Sequence, residues 1–233
     1  MPGGSAVFVS FSGIDGAGKS TQINRLTERL RDLRLRVLQV TFWTDVATFT
    51  RFRERMSYRV FRGERGIGRP GRPVRRRDKN VRAWYLTLIR CCFYLLDVVK
   101  LRFVVSKIQD SRIDVVVFDR YIFDELANLP LERASIRAFV RLLLLIVPKP
   151  DLGLLLNAHP SEARERKPEY PEDFLHANRA SFFEMQKLAA LTVIEASSIE
   201  AVSLRIADEL ARVLSQQTRE DLRHRWLRQR SLP

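Results

Sequence analysis

Gly13-Ile14-Asp15-Gly16-Ala17-Gly18-Lys19-Ser20, followed by Thr21, fits G-x-x-x-x-G-K-[ST] at every fixed position. An apolar run, Ala6-Val7-Phe8-Val9-Ser10-Phe11, precedes it and reads as a buried strand. Gln22 to Leu33 follows, with Ile23, Leu26, Leu30 and Leu33 on one helical face. Strand, glycine loop and helix form the context in which this motif cradles phosphate. Glycines let backbone N–H groups converge on an anion, and the helix N-terminus adds partial positive charge. The bland alternative is a chance glycine turn before a helix.

Four more strands are predicted outward from that loop. They are Arg36 to Phe42, Asp114 to Phe118, Leu152 to Leu156 and Leu191 to Glu195. Short apolar strands separated by helical patterns imply a parallel sheet covered on both faces. Right-handed crossovers then give an α/β, doubly wound, five-stranded parallel sheet. The chain has 233 residues, which suits one domain over 1–218 with a basic C-terminal tail over 219–233.

The formal net charge of +14 implies anionic partners. Much of it lies in an arginine-rich insertion, 51–77, read as a short basic helix running into a loop. Unpaired arginines resist burial, so this insertion is expected to be exposed and to border the acceptor side of the cleft. Weak attachment to nucleic acid or acidic lipid is expected as a side effect. Asp78 to Gln109 reads as one long helix whose apolar face is either a core face or a homodimer seam. Cys91 and Cys92 are adjacent and have no metal-ligand spacing, so reduced thiols are expected. With no secretory leader and no spanning segment, a cytoplasmic protein is expected.

Asp119 closes the third strand in Val115-Val116-Val117-Phe118-Asp119, the usual place for a second Mg²⁺ anchor beside a phosphate loop. Arg120 follows it, either as a guanidinium fork on phosphate or as a structural ion pair. Arg164, Arg166 and Lys167 crowd the segment between the fourth strand and the helix from Glu172. Three cations in four residues suit a lid, about 158–172, closing on a transferring phosphoryl group. The competing reading is a solvated charged face. For Trp43 and Trp84, core packing competes with ligand stacking.

Taken together, Phe11-Ser12-Gly13 through Thr21 and Asp119-Arg120-Tyr121 resemble the thymidylate kinase group of P-loop nucleoside monophosphate kinases. Ala196-Ser197-Ser198, with Glu200 and Val202, resembles that family's last strand-to-helix turn. The resemblance spans roughly residues 6 to 214 and implies a P-loop kinase fold with a short lid. It implies ATP and Mg²⁺, with nucleotide contacts from Gly13, Asp15, Gly16, Ala17, Gly18, Lys19, Ser20, Thr21 and Ser197. Ser20 and Asp119 would serve the metal, and Lys19, Arg120, Arg164 and Arg166 would be catalytic. The implied reaction moves the γ-phosphoryl group to a nucleoside monophosphate, dTMP by default. Another small-molecule acceptor, or a nucleotide-dependent binding protein, are the alternatives.

The sequence departs from the family pattern at four places. Ser12 stands where Glu is usual, and Phe42-Trp43-Thr44-Asp45 lacks the Arg-containing Pro-Gly segment. Leu95-Leu96-Asp97 replaces an Ala-Asp-Arg signature, and Ile122-Phe123-Asp124-Glu125 replaces a run of small residues.

Overall fold

A computed structural model describes residues 6–50, 53, 84–109 and 112–216. Five strands form one sheet: β1 Val7–Ser12, β2 Val37–Thr41, β3 Val115–Asp119, β4 Leu152–Asn157 and β5 Thr192–Glu195. Their spatial order is β2-β3-β1-β4-β5, and every pair is parallel. The predicted strands are all present, each within about one residue of its expected limits.

Alternation along β1 explains the two layers. Val7, Val9 and Phe11 point to one face and pack against Ile23, Leu26 and Leu30 of α1 (Lys19–Asp32). Ile206, Leu210 and Leu214 of α7 (Ile199–Gln216) complete that layer. Phe8 and its neighbours Val116, Phe118 and Leu155 face the other way. They meet α2 (Trp84–Gln109), α3 (Ile122–Leu126), α4 (Ala134–Ile146) and α6 (Glu172–Ala189). A short α5 (Pro160–Arg166) sits between β4 and α6. The chain is therefore α/β and doubly wound, with helices on both faces of the sheet. Parallel strands with both faces covered bury continuous apolar runs, which is why β1 and β3 contain no charged residue before Asp119.

β1 lies between β3 and β4, so its carboxyl end opens at the point where strand order diverges. Ligands of such sheets collect there. Gly13 leaves β1 with φ 139° and packs tightly under β4, since a Cβ would stand 2.6 Å from the Leu156 carbonyl oxygen. Only glycine fits that approach.

After β2, Phe42–Val46 forms one π-helical turn, with Asp45 accepting the Thr41 N–H at 2.7 Å. Beyond it lies a clasp that the sequence did not suggest. Asp97 of α2 is fully buried and accepts from both the Thr48 N–H and its hydroxyl, each at 2.7 Å. Its second oxygen binds Arg53 at 2.8 Å, and the Arg53 guanidinium lies 4.5 Å from the Phe93 ring centroid. Arg53 is thus an exception to the expected exposure of the arginine-rich insertion, because a carboxylate and aromatic faces replace its water. The remainder of 51–77, including Arg75-Arg76-Arg77, lies outside the described residues, as do 78–83 of the predicted helix and the 219–233 tail. Trp84 is 68% exposed, so it is not a core residue; Trp43 is half-buried against the core.

Removing one partner of a buried pair leaves an uncompensated charge. Asp97→Ala should therefore lower the unfolding free energy by about 3–5 kcal/mol, read from urea denaturation. A loss below about 1 kcal/mol would show that the clasp contributes nothing beyond an exposed pair.

Candidate active site

The glycine loop runs from the end of β1 to the start of α1. Gly16 and Gly18 hold φ of 86° and 87°, the left-handed region, and Gly18 caps α1 without a side chain. A side chain at Gly18 would meet nothing closer than Arg166 Nη1 at 3.9 Å, so the loop's outer surface is open. No acidic residue lies in the first turn of α1, which leaves its N-terminal partial charge available to an anion. Lys19 is buried, and its ammonium donates to the Gly13 and Ile14 carbonyls at 2.7 and 2.8 Å. Ser20 and Thr21 are exposed at the start of α1. An open glycine cradle with an ammonium folded against it fits a polyphosphate.

Facing the loop, Asp119 is half-buried and pairs in register with Phe11 and Thr41. Ser20 and Asp119 would make a two-ligand site of the kind Mg²⁺ uses when phosphates supply further oxygens. Among the described residues, no group of three or more His, Cys, Asp or Glu could hold a metal by itself.

Arg120 is the centre of the acidic side. It is a non-glycine residue in left-handed backbone at φ 65°, and its N–H is tied to the Phe11 carbonyl at 3.1 Å. One guanidinium nitrogen donates to Asp15 of the loop, and the other reaches Asp124 of α3 at 3.3 Å. Burial disfavours its charge, yet Asp15 and Asp124 outweigh that and hold it firmly protonated. Strain at one residue persists because these contacts fix it from three sides.

Asp124 was not among the residues the sequence singled out as functional. It is almost fully buried, and burial pushes its carboxyl pKa up, while Arg120, Lys19, Ser12 and the Tyr121 N–H pull it back. Ser12 lies nearby on β1, and its buried hydroxyl makes no hydrogen bond among the described residues.

Within the expected lid, about 158–172, Pro160–Arg166 forms the helix α5. α5 presses on the glycine loop so closely that a Cβ at Gly16 would overlap the Ala163 carbonyl. This explains why the loop position carries no side chain here. Arg166 donates to the Gly16 carbonyl at 3.1 Å and to Glu162 at 2.9 Å. Lys167 stands 4.0 Å from Asp15 and 3.4 Å from Glu169. Arg164 instead pairs with Glu172 at 3.8 Å, at the start of α6. The structure therefore brings Arg166 and Lys167 to the loop and leaves Arg164 at the α6 end. The helix period separates neighbours that a charge count treats alike.

On the far side, Ser197 is exposed in the turn between β5 and α7. That turn is tied to α1, since Gln22 donates to the Ile199 carbonyl at 3.0 Å and Arg25 pairs with Glu200 at 3.0 Å. Ser197 is thereby held beside the first turns of α1, on the flank of the loop away from Arg120.

No protein-family model matches the chain, and no curated protein matches it. Among solved structures it is similar to the thymidylate kinase from Ehrlichia chaffeensis, with a TM-score of 0.57 at 17% identity, over 89% of this chain and 100% of that one. That likeness shows the fold: a five-stranded parallel P-loop kinase fold.

Coupling between Ser12 and Asp124 is testable by a double-mutant cycle. Ser12→Glu crowds a second buried carboxylate, and Asp124→Ser leaves Arg120 one partner short. Each should cost about 1–3 kcal/mol, and the double variant should recover at least half of the summed loss. Strictly additive losses in thermal denaturation would show that the two sites are independent.

Proposed function

We propose that this protein is an ATP- and Mg²⁺-dependent phosphotransferase that moves a γ-phosphoryl group to an anionic small-molecule acceptor, with a nucleoside monophosphate, dTMP by default, as the leading class. The observation that carries this reading is the meeting of Lys19, Arg120 and Arg166 around one glycine loop. ATP would supply the phosphoryl group, and Mg²⁺ would neutralise charge on its phosphates.

The chain's own residues divide the remaining work. Gly13, Gly16, Ala17 and Gly18 offer backbone N–H groups, and Lys19 can leave two loop carbonyls for phosphate oxygens. Ser20 and Asp119 would hold the metal, with Thr21 beside them. Asp15 and Asp124 orient Arg120, whose fork suits a transferring or acceptor phosphate. Arg166 and Lys167 bring positive charge to the loop from α5, where they would favour the transition state over bound substrate. Ser197 borders the place where the nucleotide base would lie.

A different acceptor is the second reading, favoured by Asp97. That carboxylate is committed to Thr48 and Arg53 and leaves no guanidinium at the family's base-reading position on α2. An ADP-release assay with ATP, Mg²⁺ and a panel of nucleoside monophosphates, nucleosides and sugar phosphates decides between the acceptors. Turnover with no member of the panel, in protein that binds ATP, would favour a nucleotide-dependent binding protein.

Lys19→Ala should lower turnover on the order of a hundredfold or more without loss of fold, as for other preorganised electrostatic groups. Wild-type turnover in the folded variant would remove the loop from the chemistry. Arg166→Ala should depress turnover about tenfold or more with little change in the ATP constant, whereas Arg164→Ala should stay within about twofold of wild type. Equal effects would mean that both arginines are solvated surface charges.

A further inference from the structure

β4 ends at Asn157, and only Ala158 and His159 separate it from Pro160, where α5 begins. The Asn157 side chain is buried at the carboxyl end of the sheet and uses both ends of its amide. Its Oδ1 accepts from Arg179 Nε at 2.7 Å, and its Nδ2 donates to Glu195 Oε2 at 2.7 Å. A guanidinium can only donate and a carboxylate can only accept, so the amide has one possible orientation. The backbone adds a third tie, from the Ala196 N–H to the Asn157 carbonyl at 3.0 Å.

Each partner lies on an element that bears on the candidate active site. Arg179 stands about two turns into α6, the helix that follows the lid segment, and its guanidinium lies 5.3 Å from the Phe183 ring centroid. Glu195 ends β5, opposite Asn157 in register, and leads into the turn that carries Ser197. Asn157 itself leads into α5. The chain thus enters the lid from Asn157, and the helix by which it leaves is bonded back to the same side chain. A cavity adjoins this point, between Ile14 of the glycine loop and Phe182 of α6, with Asn157 and Arg179 in its wall. Side chains do not fill that gap, so hydrogen bonds and not close packing set the distance from α6 to the loop.

We propose that Asn157 is a positioning residue: by holding both ends of the lid segment it sets where α5 lies, and hence that Arg166 reaches the Gly16 carbonyl. Asn157 acts through Arg166 and not on the reacting phosphate. Its effect on turnover rests on the phosphotransferase reading, whereas its effect on α5 does not. Polarity makes asparagine specific here. Asn157→Asp would keep the bond from Arg179 but set two buried carboxylates face to face. Adding Glu195→Gln would turn the second bond around, with the new amide donating to the new carboxylate, and both bonds would return.

Hydrogen–deuterium exchange on the full chain, followed by peptide mass, reads the position of α5 without any turnover. Asn157→Asp should raise exchange across 160–166 about tenfold or more, because α5 loses its fixed ends. Asn157→Asp with Glu195→Gln should return it to within about twofold of wild type. Arg179→Gln, at a half-buried site on α6, should give the same rise and serves if Asn157→Asp does not fold. In the ADP-release assay each single variant, Asn157→Asp or Arg179→Gln, should lower turnover about tenfold with the ATP constant within about twofold, and the paired variant should recover. Adding Arg166→Ala to Asn157→Asp should then cost little more, because both remove one interaction. Unchanged exchange in the single variants would overturn the proposal. So would exchange that stays high in the paired variant, or full additivity with Arg166→Ala. If the wild type releases no ADP with any acceptor, the phosphotransferase reading fails, and exchange alone decides the role of Asn157.

Discussion

Arg120 is the constraint on which the site depends. It stands at the exit of β3 in left-handed backbone and reaches two carboxylates on two other elements. Asp15 belongs to the glycine loop and Asp124 to α3, so one guanidinium fixes the relative positions of β3, the loop and the following helix. Lysine could not do this, because a point charge lacks the rigid fork that spans both partners. The same arrangement sets the electrostatics. Two acids against one guanidinium leave that flank with an excess of negative charge, so Lys19 and the α1 N-terminus are the positive side of the loop.

Glycine at position 16 has a second consequence. With no side chain there, α5 can lie against the loop and bring Arg166 to the Gly16 carbonyl. Ala163 and Arg166 thus reach the loop through space across about 150 residues of chain. The likeness to a thymidylate kinase at 17% identity shows the fold.

The α2 side of the sheet differs from the glycine-loop side. Around the loop, Gly13, Gly16 and Gly18 are fixed by backbone geometry. Around α2, Asp97 is spent on Thr48 and Arg53, and aromatic rings of Trp43, Phe93 and Tyr94 gather near the same guanidinium. A buried ion pair of this kind stabilises through geometry more than through net charge energy, since desolvation consumes most of the attraction. It ties α2 to the segment after β2 through Thr48 and Arg53.

Much of the fold was legible in the sequence because its signals are local. Val115 to Phe118 can only be a buried strand, and Gly13 to Thr21 can only turn as a glycine loop between a strand and a helix. Right-handed crossovers follow from parallel pairing, whereas strand order and register are read from the structure. The sequence by itself thus determined the sheet, the loop and the identity of Lys19 and Asp119 as its neighbours. It did not determine which of Arg164 and Arg166 turns toward the loop, that Arg120 joins Asp15 to Asp124, or that Arg53 is buried. Those facts depend on contacts between residues from 44 to 150 positions apart, or on the phase of a helix against its neighbours. Short-range pattern carries neither quantity; only packing in three dimensions decides them.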